Sequence, residues 1–223
     1  MAERAAVLFD IDGTLVDSNY LHVQAWRTAF RKAGITVDDW RVHRAIGMDG
    51  DRLLDDLAGG ASEADRTAAK DLHASEYADL AGELRRFDGT RPLLRELRDR
   101  GVLIVLATSA PPDELARLRK ALDCDDLVDA VTNADDVEDA KPQPDIVQAA
   151  LDKVDVDTSR AVLVGDAVWD GLAAQRAGVP FLGVRTGGAG PEELRGAGAA
   201  EVYDDVSVLH GALDASTIGR LLR

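Results

Sequence analysis

Cysteine is nearly absent from this 223-residue chain. Cys124 stands alone, so no intrachain disulfide can form, and a reducing compartment is the expected setting. A small thiol buried near a turn accounts for it. Lysine is scarce as well: Lys32, Lys70, Lys120, Lys141 and Lys153 are the whole set, so each can be judged singly. Long apolar runs are missing, and none approaches the roughly 20 residues that span a bilayer. The opening Met-Ala-Glu-Arg leaves no room for the basic and apolar regions of a secretion signal, and a cytoplasmic location is expected. Positive charge is outnumbered, with 26 Lys and Arg against 41 Asp and Glu and a formal net charge of -15. That balance argues against nucleic acid or an anionic membrane as partner. What is present is ordinary for a globular protein: 46% of residues are hydrophobic and 30% charged. The length suffices for one ample core, or for a core carrying a smaller inserted domain.

Five apolar runs read as buried parallel strands: 5–9, 102–107, 130–132, 161–164 and 179–184. Helical patterns lie between most of them. Thr90-Arg91-Pro92 offers an N-cap and an early proline, with Leu93, Leu94 and Leu97 behind them and Gly101 as the stop. Others start at Pro111-Pro112 and at Pro144, and another ends at Gly178. The alternation predicts an α/β fold, a Rossmann-like doubly wound parallel sheet with ligands at the carboxyl ends of its strands. One section breaks the rhythm. From Ser18 to Arg86 there is no convincing strand, while Leu21, Ala25, Trp26, Ala29, Phe30 and Ala33 mark an amphipathic helix ended by Gly34. Further helices are expected over 40–45, 51–57 and 62–80. The predicted organisation is a core of residues 1–17 and 87–223 with an all-helical cap of residues 18–86.

Polar residues gather where the strands should end. Asp10 and Asp12 follow the first run, and two carboxylates crowded at a strand end are costly unless a cation binds them. A hard divalent metal suits such oxygen ligands. An EF-hand loop is excluded, because Leu15 and Leu21 stand where it needs a glycine and a glutamate. Thr108 and Ser109 end the second run, either as an N-cap or with their hydroxyl and amide groups aimed at a phosphoryl oxygen. Lys141 precedes the stiff Pro142-Gln143-Pro144 segment. Asp166 ends the fourth run, and Asp170 follows one helical turn later, so both can face one crevice or serve a helix N-terminus. Capping alone hardly explains four such signals at strand ends of one sheet.

Asp10-x-Asp12-Gly13-Thr14, Thr108, Lys141 with Pro142-x-Pro144, and Gly165-Asp166-x-x-x-Asp170 resemble, in order and context, the four motifs of the haloacid dehalogenase-like hydrolase superfamily. The branch it resembles, phosphatases and β-phosphoglucomutase-like enzymes, carries its helical cap after the first strand, and the similarity covers essentially the whole chain. It implies a phosphatase that hydrolyses a small phosphorylated metabolite, a sugar or polyol phosphate monoester, through an aspartyl phosphate. Asp10 would be the nucleophile and Asp12 the group that protonates the leaving alkoxide and then deprotonates water. Mg²⁺ would be held by Asp10, the main-chain carbonyl of Asp12 and Asp166, with Asp170 assisting. Thr108 and Lys141 would hold the phosphoryl group. Dehalogenation is disfavoured because Asp12 is present. A phosphomutase remains the alternative, and a non-catalytic regulator binding a phosphorylated ligand a further one.

Substrate choice is expected on the cap and on Ser109. His22 and Gly47 are the foremost cap candidates, with Trp26, Arg41, His43, Arg44, Met48 and Asp49 also to be inspected, although Trp26 reads first as helix core and Arg41 and Arg44 as solvated. Gly187-Gly188-Ala189-Gly190 imitates a phosphate loop but lacks a following lysine, and is taken as a flexible connection. The expected assembly is a monomer or weak homodimer.

Overall fold

The computed structural model describes residues 4–136 and 141–223, so Ala140 and the first three residues lie outside the described part. The backbone forms two compact units, one of Met1–Asp17 with Arg86–Arg223 and the other of Ser18–Arg85. The chain begins with β1 (Ala6–Phe9) and leaves the first unit at β2 (Val16–Asp17). Four helices follow, α1 (Asn19–Lys32), α2 (Asp39–Ala45), α3 (Gly50–Ala58) and α4 (Glu63–Asp79), before β3 (Arg85–Arg86). The remainder alternates: α5 (Thr90–Asp99), β4 (Leu103–Leu106), α6 (Pro112–Leu122), β5 (Ala130–Val131), α7 (Asp145–Asp152) and β6 (Ala161–Gly165). Then come α8 (Val168–Ala177), β7 (Phe181–Val184), α9 (Pro191–Gly196), β8 (Ala199–Tyr203), α10 (Val206–Gly211) and α11 (Thr217–Leu221). Among the described residues no helix is long and apolar enough to cross a membrane.

Six strands pair in parallel in the order β5-β4-β1-β6-β7-β8, the Rossmann-like layout expected. The order reverses at β1, with β4 and β5 on one side and β6 to β8 on the other, so the crevice of this sheet opens at the carboxyl end of β1. Strands covered on both faces need apolar residues throughout, and β1, β4 and β6 are buried along their whole length. Ala6, Leu8, Leu103, Val105, Ala161 and Leu163 meet Ile146, Val147, Ala150 and Leu151 of α7 and Ala173 and Ala174 of α8. Each large aliphatic side chain so buried stabilises the fold by about 1.5–3 kcal/mol relative to exposure.

Two local departures have clear causes. Gly89, not Thr90, is the N-cap of α5; it has φ of 85°, and a Cβ there would lie 2.6 Å from Ser207 Cα. Thr90 is the first helical residue, and its hydroxyl donates to the Leu15 carbonyl at 3.4 Å. The sixth strand, β8, has no counterpart among the apolar runs. Its sequence Ala-Ala-Glu-Val-Tyr is only partly buried at the sheet edge and needs no such run.

In the helical unit, Trp26, Ala29 and Phe30 of α1 pack with Val42, Ala45, Leu53, Leu54, Leu57, Ala58 and Ala69 around its own core. Trp26 is therefore a core residue. Ser62 caps α4 by accepting the Asp65 amide, and Asp49 caps α3 by accepting the amides of Asp51 and Arg52.

Candidate active site

The register of the sheet brings the polar residues together. Phe9 pairs with Leu106 of β4 and with Val164 of β6, so the residues just past all three lie at one level. The Asp10 amide continues the ladder by donating to the Val164 carbonyl at 3.0 Å, and the Ala107 amide donates to the Phe9 carbonyl at 2.7 Å. Asp10, Thr108 and Asp166 consequently stand at the carboxyl end of the sheet around its switch point, and all three are buried.

Lys141 completes the group. Only 4% exposed, it lies 2.5 Å from Asp10 Oδ1 and 2.7 Å from Asp170 Oδ1. The Asp170 Oδ2 atom accepts the Ala167 amide at 3.0 Å, so this carboxylate also serves the N-terminus of α8. Both readings of Asp170, crevice and cap, hold at once. Gly165 makes room for it, since a Cβ at that position would sit 2.4 Å from Asp170 Oδ2. Arg176 of α8 donates to the Pro142 carbonyl at 2.7 Å and to Gln143 Oε1 at 3.1 Å, which ties the Lys141 segment to the helix that bears Asp170.

The turn after β1 is built from its own amides. Those of Thr14, Leu15 and Val16 all donate to the Ile11 carbonyl, and Gly13 takes a φ of 72°. Asp12 is half-buried on this turn. Thr14 is fully enclosed, and its hydroxyl donates to Asp166 Oδ1 at 2.7 Å. Thr108 is not an N-cap: α6 starts at Pro112, with Pro111 before it. Its Oγ1 instead accepts the Ala110 amide at 3.1 Å, which leaves the hydroxyl proton to be donated elsewhere. Behind it, Thr132 Oγ1 accepts the Thr108 amide at 3.1 Å and donates to the Thr108 carbonyl at 3.0 Å. Sequence reasoning singles out neither Thr132 nor Arg176, and Thr14 only as part of its motif. A hydroxyl at the end of the third apolar run is the one available signal for Thr132.

Charge decides what this crevice can hold. Carboxylate oxygens of Asp10, Asp166 and Asp170 lie within 4.8 Å of one another, all three residues are buried, and Lys141 is the cation paired among them. Burial pushes the Asp10 carboxyl well above its ordinary pKa; Lys141 opposes this, and Asp170, Asp166 and Asp12 add to it. Burial would discharge Lys141, but Asp10 and Asp170 outweigh that and hold it above the usual lysine range. An all-oxygen, anionic donor set of this kind fits a hard divalent cation such as Mg²⁺.

Ser109 is half-buried beside Thr108. In the helical unit, the His22 ring stacks on Tyr77 with centroids 3.8 Å apart, and its Nδ1 lies 3.1 Å from His73 Nε2. Gly47 is exposed in a turn with φ of 91°, closed by the Met48 amide on the Ala45 carbonyl at 3.1 Å. His43 stacks on Tyr20 at 5.2 Å, and Arg41 reaches the Asp56 carbonyl at 3.3 Å.

Fold and crevice together define a Rossmann-like α/β protein whose buried polar cluster sits at the switch point of the sheet. A family model described as haloacid dehalogenase-like hydrolase matches residues 5–178, and the chain belongs to that family. It is 31% identical over 181 residues to validoxylamine A 7'-phosphate phosphatase of Streptomyces hygroscopicus subsp. limoneus, covering 80% of this chain and 84% of that one. It is 32% identical to a plasmid phosphoglycolate phosphatase of Cupriavidus necator, over 93% of this chain and 92% of the relative. Among solved structures, a hydrolase from Pseudomonas syringae superposes with a TM-score of 0.90 at 34% identity, covering 95% of this chain and 99% of the other.

Proposed function

We propose that this protein is a Mg²⁺-dependent phosphatase that hydrolyses a small phosphorylated metabolite, a sugar or polyol phosphate monoester. The observation that carries the reading is the buried Asp10–Lys141 pair at 2.5 Å, set among Asp166 and Asp170 at the end of β1, with Asp12 two residues on. The relatives named above are phosphatases of validoxylamine A 7'-phosphate and of phosphoglycolate, which supports a small ester as substrate.

Asp10 attacks the phosphorus, and the bond to the ester oxygen breaks as the aspartyl phosphate forms. Asp12 gives its proton to the departing alkoxide. It then takes a proton from the water that attacks the aspartyl phosphate, releasing phosphate and restoring Asp10. The first step calls for a protonated Asp12 and the second for its carboxylate. Thr108 donates its hydroxyl to a phosphoryl oxygen, and Lys141 both holds that group and keeps Asp10 in line. Asp10, Asp166 and the Asp12 main-chain carbonyl would hold Mg²⁺, with Asp170 direct or through water, and the cation would supply the positive charge that lets a phosphate enter a carboxylate-rich crevice. Ser109, His22 and Gly47 are the proposed substrate contacts.

The test is phosphate release over a panel of phosphorylated metabolites, with Mg²⁺ and with chelator, for the wild type and Asp10→Asn. Wild-type release should stop with chelator, and Asp10→Asn should lower it about a thousandfold or more while its melting temperature is kept. Near wild-type turnover by Asp10→Asn would end the nucleophile assignment. Sugar-phosphate isomerisation without phosphate release would point to a mutase instead.

A further inference from the structure

Gly13 lies between Asp12 and Thr14, and with no side chain its conformation is set by what its peptide groups bond to. Its amide donates to the Val16 carbonyl at 2.8 Å. Its carbonyl accepts the hydroxyl of Thr186 at 2.5 Å, a bond across 173 residues of sequence. Thr186 stands in a single helical turn, Arg185–Gly187, directly after β7. That turn is closed by Gly188, with φ of 92° and its amide on the Arg185 carbonyl at 3.0 Å. The glycine run that resembles a phosphate loop thus has a different use, letting the chain turn so that Thr186 faces Gly13.

The Gly13–Thr14 peptide is held at both ends. Its oxygen takes the Thr186 hydroxyl, and its N–H donates to the Ile11 carbonyl at 3.2 Å. This plane fixes the start of Thr14, whose own hydroxyl reaches Asp166 Oδ1 at 2.7 Å. Through Gly13 it also limits the preceding peptide, whose oxygen is the proposed main-chain ligand from Asp12. We infer that Thr186 is a positioning residue of the site: its hydroxyl holds the Gly13–Thr14 peptide so that Thr14 meets Asp166 and the Asp12 carbonyl faces the cation. This rests on the proposed Mg²⁺-dependent function.

Thr186→Val keeps the shape and removes the hydroxyl, whereas Thr186→Ser keeps the hydroxyl. Calorimetric titration of Mg²⁺ alone into the full chain reads the positioning directly, and kcat and KM for an aryl phosphate read its effect on turnover. Thr186→Val should bind Mg²⁺ about tenfold more weakly or worse, the usual effect of losing a group that orients a ligand. Its kcat should fall in similar proportion, with KM at saturating Mg²⁺ within about twofold of wild type, and Thr186→Ser should match wild type in all three. Wild-type Mg²⁺ affinity in Thr186→Val overturns the inference, as does equal damage from Thr186→Ser, which marks a packing role. Thr186→Ala replaces the valine variant if that one does not fold. Should the wild type release no phosphate from any ester, the functional reading fails, and the Mg²⁺ titration alone still upholds or overturns the role of Thr186.

Discussion

Gly165 carries more of the site than its lack of a side chain suggests. It is the last residue of β6, and the carboxylate of Asp170 occupies the space that any Cβ would take. Such a Cβ would meet Asp170 Oδ2 at 2.4 Å, Cγ at 2.5 Å and Cβ at 2.7 Å, so rotation of the carboxylate alone cannot relieve the clash. Gly165→Ala should therefore push Asp170 off Lys141 and off the Ala167 amide. A destabilisation of about 1–3 kcal/mol is expected for such overpacking. Activity should fall with it, since Lys141 loses one of its two carboxylates. The cause can be isolated with a double-mutant cycle: in an Asp170→Gly background, which removes every clashing atom, Gly165→Ala should cost markedly less stability, and strict additivity would mean that the clash lies elsewhere.

At the scale of elements, α1 and α4 are joined by a run of rings rather than by aliphatic packing alone. Trp26 stacks on His73 with centroids 4.1 Å apart, and His22 stacks on Tyr77 at 3.8 Å. The His22–His73 hydrogen bond at 3.1 Å needs one ring nitrogen to donate and the other to accept. Burial, and secondarily His22, holds His73 well below the ordinary histidine pKa of 6.5. The folded protein thus keeps His73 neutral where the unfolded chain would protonate it. Stability from this group is complete above about pH 6.5 and drains away as the pH falls from there toward the folded value, by up to about 1.4 kcal/mol per pH unit. Guanidinium unfolding of the full chain at pH 7.5 and 5.5 should show this loss in the wild type and a smaller one in His73→Phe, which retains a ring; parallel losses in both would refute the assignment. None of this is legible in the sequence, where His73 is one polar residue in a helical pattern and only the fold brings it to Trp26. The central strands are legible because β1, β4 and β6 are buried on both faces and so cannot tolerate polar residues. Edge strand β8 is not, because a half-buried edge accepts Ala, Glu and Tyr alike. The same contrast runs through the site: Asp10, Thr108, Lys141 and Asp166 follow strands or precede prolines that announce themselves, Thr132 leaves only a hydroxyl at the end of the third apolar run, and Arg176 and Thr186 act by bonds to distant backbone that no local pattern records.

For the molecule as a whole, the two compact units differ in what a cation can do for them. Asp10, Asp166 and Asp170 all belong to the unit that holds the sheet, and none comes from Ser18–Arg85. A ligand that binds only the folded site stabilises it by about 2.7 kcal/mol at a hundredfold excess over its Kd. In a chain of this size each kcal/mol moves a melting temperature by about 2–4 °C. Saturating Mg²⁺ should accordingly raise melting of the sheet unit by about 5–10 °C over chelator. If the helical unit melts as a separate transition, that transition should stay where it was. Asp166→Asn removes one of the proposed anionic ligands and should abolish most of the shift, whereas Lys32→Ala, which breaks an exposed pair with Glu76, should leave it intact. Differential scanning calorimetry of the three proteins reads all of this. The outcome that would sink the cation site is an equal Mg²⁺ shift in wild type and Asp166→Asn, since only nonspecific screening of the -15 net charge would act on both alike.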